Sequence, residues 1–206
     1  MIQALERTTG RPVPRETSAL LETYVAALKS ANKHQNLVSA ATLDHIWERH
    51  ILDSAQLVRF EPAAGSSWLD IGSGAGLPGL VIALLVEGPV TLVEPRRLRA
   101  AFLEQVTAAL GLAGRVSVLC AKIEKITGRF DVITARAVAP LGRLLSMANH
   151  LAHERTIWAL PKGRSANMEL VEARRSWHCE ARSEISRTDP DARILLLSQV
   201  KAKPNQ

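Results

Sequence analysis

Cysteine is nearly absent from this chain: 206 residues hold two, Cys120 and Cys179. Two cysteines build no disulfide framework, and neither stands at a metal-ligand spacing. Both are expected to be small, buried, apolar side chains in a reducing compartment. Aromatic residues make up only 4% of the chain, so the core has to be aliphatic. That scarcity also argues against a stacking platform for free single-stranded nucleic acid. No apolar run is long. Leu80 to Val86 falls far short of the roughly 20 residues needed to cross a bilayer. No basic-then-apolar leader opens the sequence, and the expected location is the cytoplasm. Internal repeats and low-complexity tracts are missing too. The histidines form no constellation with other ligating residues, so no metal site is expected.

What is present suits a soluble globular protein, with 47% hydrophobic and 22% charged residues. The charge is unevenly placed. Residues 1–87 hold 7 of the 26 Lys and Arg but 9 of the 20 Asp and Glu, a net of −2, so the remainder carries +8, more than the whole excess of +6. A basic half points to a polyanionic partner, although ordinary solubility charge gives the same count.

Residues 1–15 carry two prolines and little periodicity, which reads as a loose arm. Glu16 to Ala31 places Leu20, Leu21, Tyr24, Val25 and Leu28 at helical spacing. Thr42 to Leu57 reads as a second helix with Thr42 as its N-cap. A small helical segment over 1–64 therefore precedes a catalytic domain over 65–206. From Trp68 onward strands alternate with helices, which gives a parallel, doubly wound sheet. The last two strands, Arg182 to Ile185 and Arg193 to Val200, are joined by a short turn and should be antiparallel. The expected fold class is α/β, a Rossmann-like sheet of seven strands with an antiparallel last strand.

Four of the 12 glycines crowd into Leu69–Gly79, LDIGSGAGLPG. Gly74 to Gly79 fits G-x-G-x-x-G, the dinucleotide fingerprint. Asp70 to Gly76 fits D-x-G-x-G-x-G, a loop that holds S-adenosylmethionine. A pyrophosphate on the loop amides would be repelled by Asp70 two residues before Gly72. A sulfonium and an ammonium would not. Pro78 also removes an N–H from the helix start. Glu94 ends the next strand and suits ribose hydroxyls in either case. The methyl donor is the favoured cofactor, with a nicotinamide dinucleotide or a ligand-free turn as alternatives.

Gly72-Ser-Gly74-Ala-Gly76-Leu77-Pro78-Gly79 resembles the loop of the ribosomal RNA small subunit methyltransferase G (RsmG/GidB) family, which methylates guanine N7 in 16S ribosomal RNA. Asn36 to Ser39 and His50 to Ser54 resemble its N-terminal signature. Glu94-Pro95-Arg96-Arg97 with Phe102-Leu103, Phe130-Asp131 through Ala137, and Leu160 to Gly163 resemble its later motifs. Pro95 stands where that family usually has Ser. The resemblance implies cofactor contacts by Gly72, Gly74, Gly76, Leu77 and Arg136, with Ile123 and Glu124 framing the adenine. It also implies 16S rRNA or a small-subunit particle as partner, and a monomer is expected.

Guanine N7 already presents a lone pair, so no base has to remove a proton. The sequence offers no obvious nucleophile or base. Pyrimidine C5 methylation would need an activated cysteine. Exocyclic amine methylation is associated with an N/D-P-P-aromatic turn, and Ala135-Arg136-Ala137-Val138-Ala139-Pro140 stands there instead. Arg136 and Lys162 are the candidate active side chains. Asp70 and Glu94 have the sign to offset positive charge. Arg96, Arg97, Arg143, Lys162 and Arg164 are candidate RNA contacts. His50 and Asp53 are too few for a metal site and should tie the N-terminal helices to the catalytic domain. A small-molecule methyltransferase and a non-catalytic RNA-binding protein are the rival functions.

Overall fold

A computed structural model describes residues 1–204. Seven strands form one sheet in the order β3-β2-β1-β4-β5-β7-β6. They are β1 (Trp68–Ile71), β2 (Val90–Val93), β3 (Val116–Leu119), β4 (Phe130–Ala135), β5 (Ala152–Lys162), β6 (Trp177–Ile185) and β7 (Arg193–Ala202). All neighbours pair in parallel except β7, which runs antiparallel to both β5 and β6. The expected architecture is therefore the observed one. β6 begins at Trp177, before the expected Arg182, because its ladder with β7 continues to the Trp177–Ala202 pair.

Eight α-helices accompany the sheet: α1 (Ile2–Thr9), α2 (Arg15–Gln35), α3 (Ala40–Leu43), α4 (Asp53–Ala55), α5 (Gly79–Leu85), α6 (Arg97–Ala109), α7 (Leu141–Ala148) and α8 (Ala166–Ala173). The helical period of α2 buries Leu21, Tyr24, Val25 and Leu28 on one face. α5 is apolar all round, and six of its seven residues are buried. It is wedged between the sheet and the N-terminal helices. Two apolar cores result, one on each face of the sheet; α2, α5 and α6 supply the first and α7 and α8 the second.

Three expectations are corrected. The first residues are not a loose arm: α1 inserts Leu5 with no exposed surface. Arg11 then ties the segment down, donating to Glu61 Oε2 at 3.0 Å and to the Val58 carbonyl at 3.3 Å. Residues 42–57 are not one helix. α3 is capped by Ser39 rather than Thr42, a π-helical turn spans Trp47–Leu52, and a 3-10 turn spans Gln56–Phe60. Cys120 is exposed and Cys179 half-buried, because Cys120 lies just past the end of β3 rather than within the sheet.

Candidate active site

In this sheet the chain reverses direction of build-up between β1 and β4, which opens a crevice beyond their carboxyl ends. The glycine loop leaves β1 on one side of that crevice. Residues 136–140 leave β4 on the other. Gly72 adopts φ +68°, and a Cβ there would lie 2.7 Å from Val138 Cγ2. Its backbone thus faces the opposite wall directly, which only glycine permits. Gly72 and Ser73 both donate their amides to the Val93 carbonyl, at 2.8 and 3.1 Å.

Two buried carboxylates hold the loop. Asp70, 1% exposed, accepts the Gly79 amide on Oδ2 at 3.0 Å. A Cβ on Gly79 would stand 2.6 Å from that oxygen, so this helix start has to be glycine. Asp70 Oδ1 is buried without a partner, and burial raises this carboxyl to about 7. Asp70 therefore lies under the loop rather than in the crevice. Glu94, 3% exposed, accepts the Gly74 amide at 2.9 Å and the Arg96 amide at 2.9 Å. Tyr24, fully buried on α2, donates its hydroxyl to the Ala75 carbonyl at 2.8 Å. Burial pushes that hydroxyl further above its ordinary pKa, so it stays a donor. Gly76 packs against Leu80 and Leu103, away from the crevice.

The crevice consists of two adjoining clefts. One, of about 410 Å³, is bounded by Gly72, Ser73, Gly74 and Leu77 with Thr42, His50 and Arg99. The other, of about 500 Å³, is bounded by Asp53, Pro140, Lys162, Glu169, Thr188 and Arg193, among others. Arg136 and Ala137 line both. Ala137 holds φ +55°, a left-handed conformation that costs a residue with a Cβ about 1–2 kcal/mol.

Arg136 is held from the N-terminal segment. Its Nη1 lies 3.2 Å from His50 Nδ1, 3.5 Å from Asp53 Oδ2 and 3.5 Å from the Arg49 carbonyl. A guanidinium only donates, so His50 accepts on Nδ1 and carries its proton on Nε2, 2.9 Å from Thr42 Oγ1. Thr42 in turn donates to the Ser39 carbonyl at 2.9 Å. Burial, then the Arg136 and Arg49 charges, push His50 down to about 4, which keeps it neutral. The expected role of His50 and Asp53 as a tie between segments fits this geometry, and the tie ends on Arg136.

Lys162 donates to Glu169 Oε2 at 2.8 Å and to the Ala139 carbonyl at 3.2 Å. Glu169 also accepts the Leu141 amide at 3.0 Å and the Ser165 hydroxyl at 2.9 Å. These bonds hold its carboxyl below the usual range against the opposing effect of burial. Lys162 is thus a strut of the 136–140 loop on the cleft wall. Arg164 is paired with Asp191. Arg96 and Arg97, at the start of α6, and Arg143 on α7 are exposed. Ile123 is buried in the second core while Glu124 beside it is exposed, so the two point to opposite sides. Neither borders the two clefts. Glu169 and Thr188 were not singled out from sequence, because no local pattern marks them. Among the described residues no group of three or more His, Cys, Asp or Glu could hold a metal ion, and no helix is long and apolar enough to cross a membrane.

Comparison with known proteins places this site in context. Residues 17–191 match the GidB family model, described as rRNA small subunit methyltransferase G. The chain is 47% identical over 194 residues to a ribosomal RNA small subunit methyltransferase G from Rhizorhabdus wittichii, covering 93% of this chain and 89% of that one. It is 44% identical over 200 residues to the protein of the same name from Zymomonas mobilis, covering 93% and 90%. Solved structures share the fold at low identity. A ribosomal protein L11 methylase from Lactobacillus delbrueckii gives a TM-score of 0.56 at 14% identity, over 73% of this chain and 78% of that one. A TehB-like SAM-dependent methyltransferase from Corynebacterium glutamicum gives 0.54 at 12%, over 71% and 87%.

Proposed function

The chain belongs to the rRNA small subunit methyltransferase G family, and from that premise we propose that it methylates guanine N7 in 16S ribosomal RNA with S-adenosylmethionine as donor. The observation that carries this reading is the pair of clefts that meet at Arg136 and Ala137. A donor against the glycine loop and a base in the second cleft would face each other across that junction.

The residues suit the donor. Gly74 is uncrowded, since a Cβ there would meet Arg99 Nη1 and the Gly72 carbonyl at 3.7 Å, an ordinary contact distance. Gly72, Gly74 and Leu77 form the cradle, and Glu94, buried beside it, is assigned to the ribose hydroxyls through the lone pairs that the Gly74 and Arg96 amides leave. Asp70 and Gly76 act from beneath by shaping the loop. Ile123 and Glu124 are assigned to the adenine end, past β3. When bound, S-adenosylmethionine would supply an electrophilic methyl group.

The acceptor side has to orient a base, not deprotonate it. Guanine N7 carries its lone pair in the ring plane, so placement about 3 Å from the methyl group and in line with it suffices. No cysteine lines either cleft. N7 turns cationic on methylation, so Arg136 is assigned to guanine O6, a phosphate or the donor's carboxylate rather than to N7 itself. Lys162 acts by holding the loop that carries Arg136. Arg96, Arg97 and Arg143 are assigned to RNA phosphates, where binding should weaken steeply with salt; Arg164 can join them only by leaving Asp191. The reading has the reaction in the cytoplasm, on 16S rRNA or a small-subunit particle, with a monomeric enzyme.

The test is transfer of a deuterated methyl group to small subunits that lack native methylation, followed by nucleoside mass analysis. Label in 7-methylguanosine is the expected result. Label in another nucleoside would overturn the acceptor but keep the donor, and no label would overturn the reading.

A further inference from the structure

We infer that Asp53 is a positioning residue for Arg136, and that the β6–β7 turn is part of the same support through Thr188. This rests on the reading above, in which Arg136 works at the junction of the two clefts.

The Asp53 carboxylate has its two oxygens assigned to different neighbours. Oδ1 accepts from Gln56 Nε2 at 2.9 Å and from Thr188 Oγ1 at 3.0 Å. Oδ2 is left for Arg136, at 3.5 Å. Gln56 has no exposed surface. Its amide is fixed at both ends: Nε2 also donates to Ser186 Oγ at 3.0 Å, and Oε1 accepts the Arg187 amide at 2.9 Å. A turn 130 residues further along the chain thereby sets the plane of a carboxylate in the N-terminal segment.

An ion pair kept for stability alone would not need such orientation. At about one-fifth exposure on both side chains, the pair itself contributes little to stability. The arrangement instead aims a charge. Asp53 and neutral His50, three residues apart across the π-helical turn, grip one nitrogen of Arg136 from two directions. The guanidinium keeps its other donors for a ligand. Arg49, another cation of this cleft, is paired with Asp189 at 3.4 Å. Glu48 lines the wall as well and is exposed.

The decisive experiment is a double-mutant cycle in the intact enzyme, read by methylation of small subunits. In Asp53→Asn the side-chain oxygen retains Gln56 and Thr188, while an amide donor opposes Arg136. We expect kcat to fall roughly 10- to 100-fold, with KM for the small subunit and the melting temperature close to wild type. In an Arg136→Ala background the same change should cost nothing further, because its effect runs through Arg136. Thr188→Val should lower kcat in the same direction by roughly fivefold, the loss of one hydrogen bond, and it carries the test if Asp53→Asn does not fold. Equal losses in both backgrounds, or a lowered melting temperature with unchanged kcat, would overturn the proposal. Full activity in Arg136→Ala would instead overturn the role given to Arg136 itself, and wild-type label outside 7-methylguanosine would overturn the acceptor alone.

Discussion

The two walls of the crevice are held by opposite means. The glycine loop is tied mostly by neighbours in sequence: Asp70 to Gly79 spans nine residues and Glu94 to Gly74 spans twenty, while Tyr24 reaches Ala75 across 51. The 136–140 loop is tied from afar. His50 and Asp53 reach it across 86 and 83 residues, and Lys162 and Glu169 across 23 and 28. The glycine-loop wall therefore rests largely on its own stretch of chain. The 136–140 wall is assembled from the N-terminal helices, β5 and α8. A shared sheet with a private acceptor wall is how one fold serves many substrates.

Breaking the local wall should have the largest effect. Gly72→Ala forces a Cβ into Val138 and a residue into a left-handed conformation, and we expect cofactor binding to be lost in calorimetric titration. Normal affinity would mean that the donor does not approach Gly72. Breaking the distant wall should do something different. Lys162→Ala frees the Ala139 carbonyl and removes the partner of Glu169, so methylation should fall roughly tenfold while cofactor affinity is kept. A loss of cofactor affinity alone would show that the two walls are not separable.

Acid should loosen the distant wall. His50 moves from an ordinary 6.5 to about 4 in the folded chain, chiefly through burial. The unfolded chain thus binds the proton more readily, and the stability His50 contributes is present above 6.5 and lost as pH falls toward 4. Asp70, raised from 3.8 to about 7, runs the other way, so the comparison must be a difference. Wild type should lose more stability than His50→Gln between those two pH values, by thermal melts; equal losses would sink the assignment of a neutral His50. The smallest effect belongs to Ala137→Gly. It relieves the left-handed strain and should stabilise by about 1 kcal/mol, seen as a slightly raised melting temperature.

The donor wall was legible in sequence because its ties are local: glycines, strand-end acids and Pro78 all fall within one window. The alternation of strands and helices was legible for the same reason. The helix at Ile2–Thr9 was hidden by its shortness and by Pro12 and Pro14 after it; a single buried Leu5 and the reach of Arg11 hold it. The break inside residues 42–57 was hidden because the apolar spacing continues through it, and no local signal marks the π-helical turn that carries His50. Their spacing could be seen, but not their target. Lys162 stood out as a cation beside a glycine, and only the fold shows Glu169 opposite it.

The turn between β6 and β7 gives the molecule an order of assembly. Arg187 donates to the Arg7 and Thr8 carbonyls while Ser186 and Thr188 close on Gln56 and Asp53. During synthesis the first helices emerge long before that turn exists, and the glycine loop and Arg136 follow without it. The 136–140 wall is thus completed by a turn made 130 residues after the Gln56 it closes on. A partly made chain can form the glycine loop, but the Asp53 carboxylate that faces Arg136 lacks its Thr188 partner until the β6–β7 turn has docked.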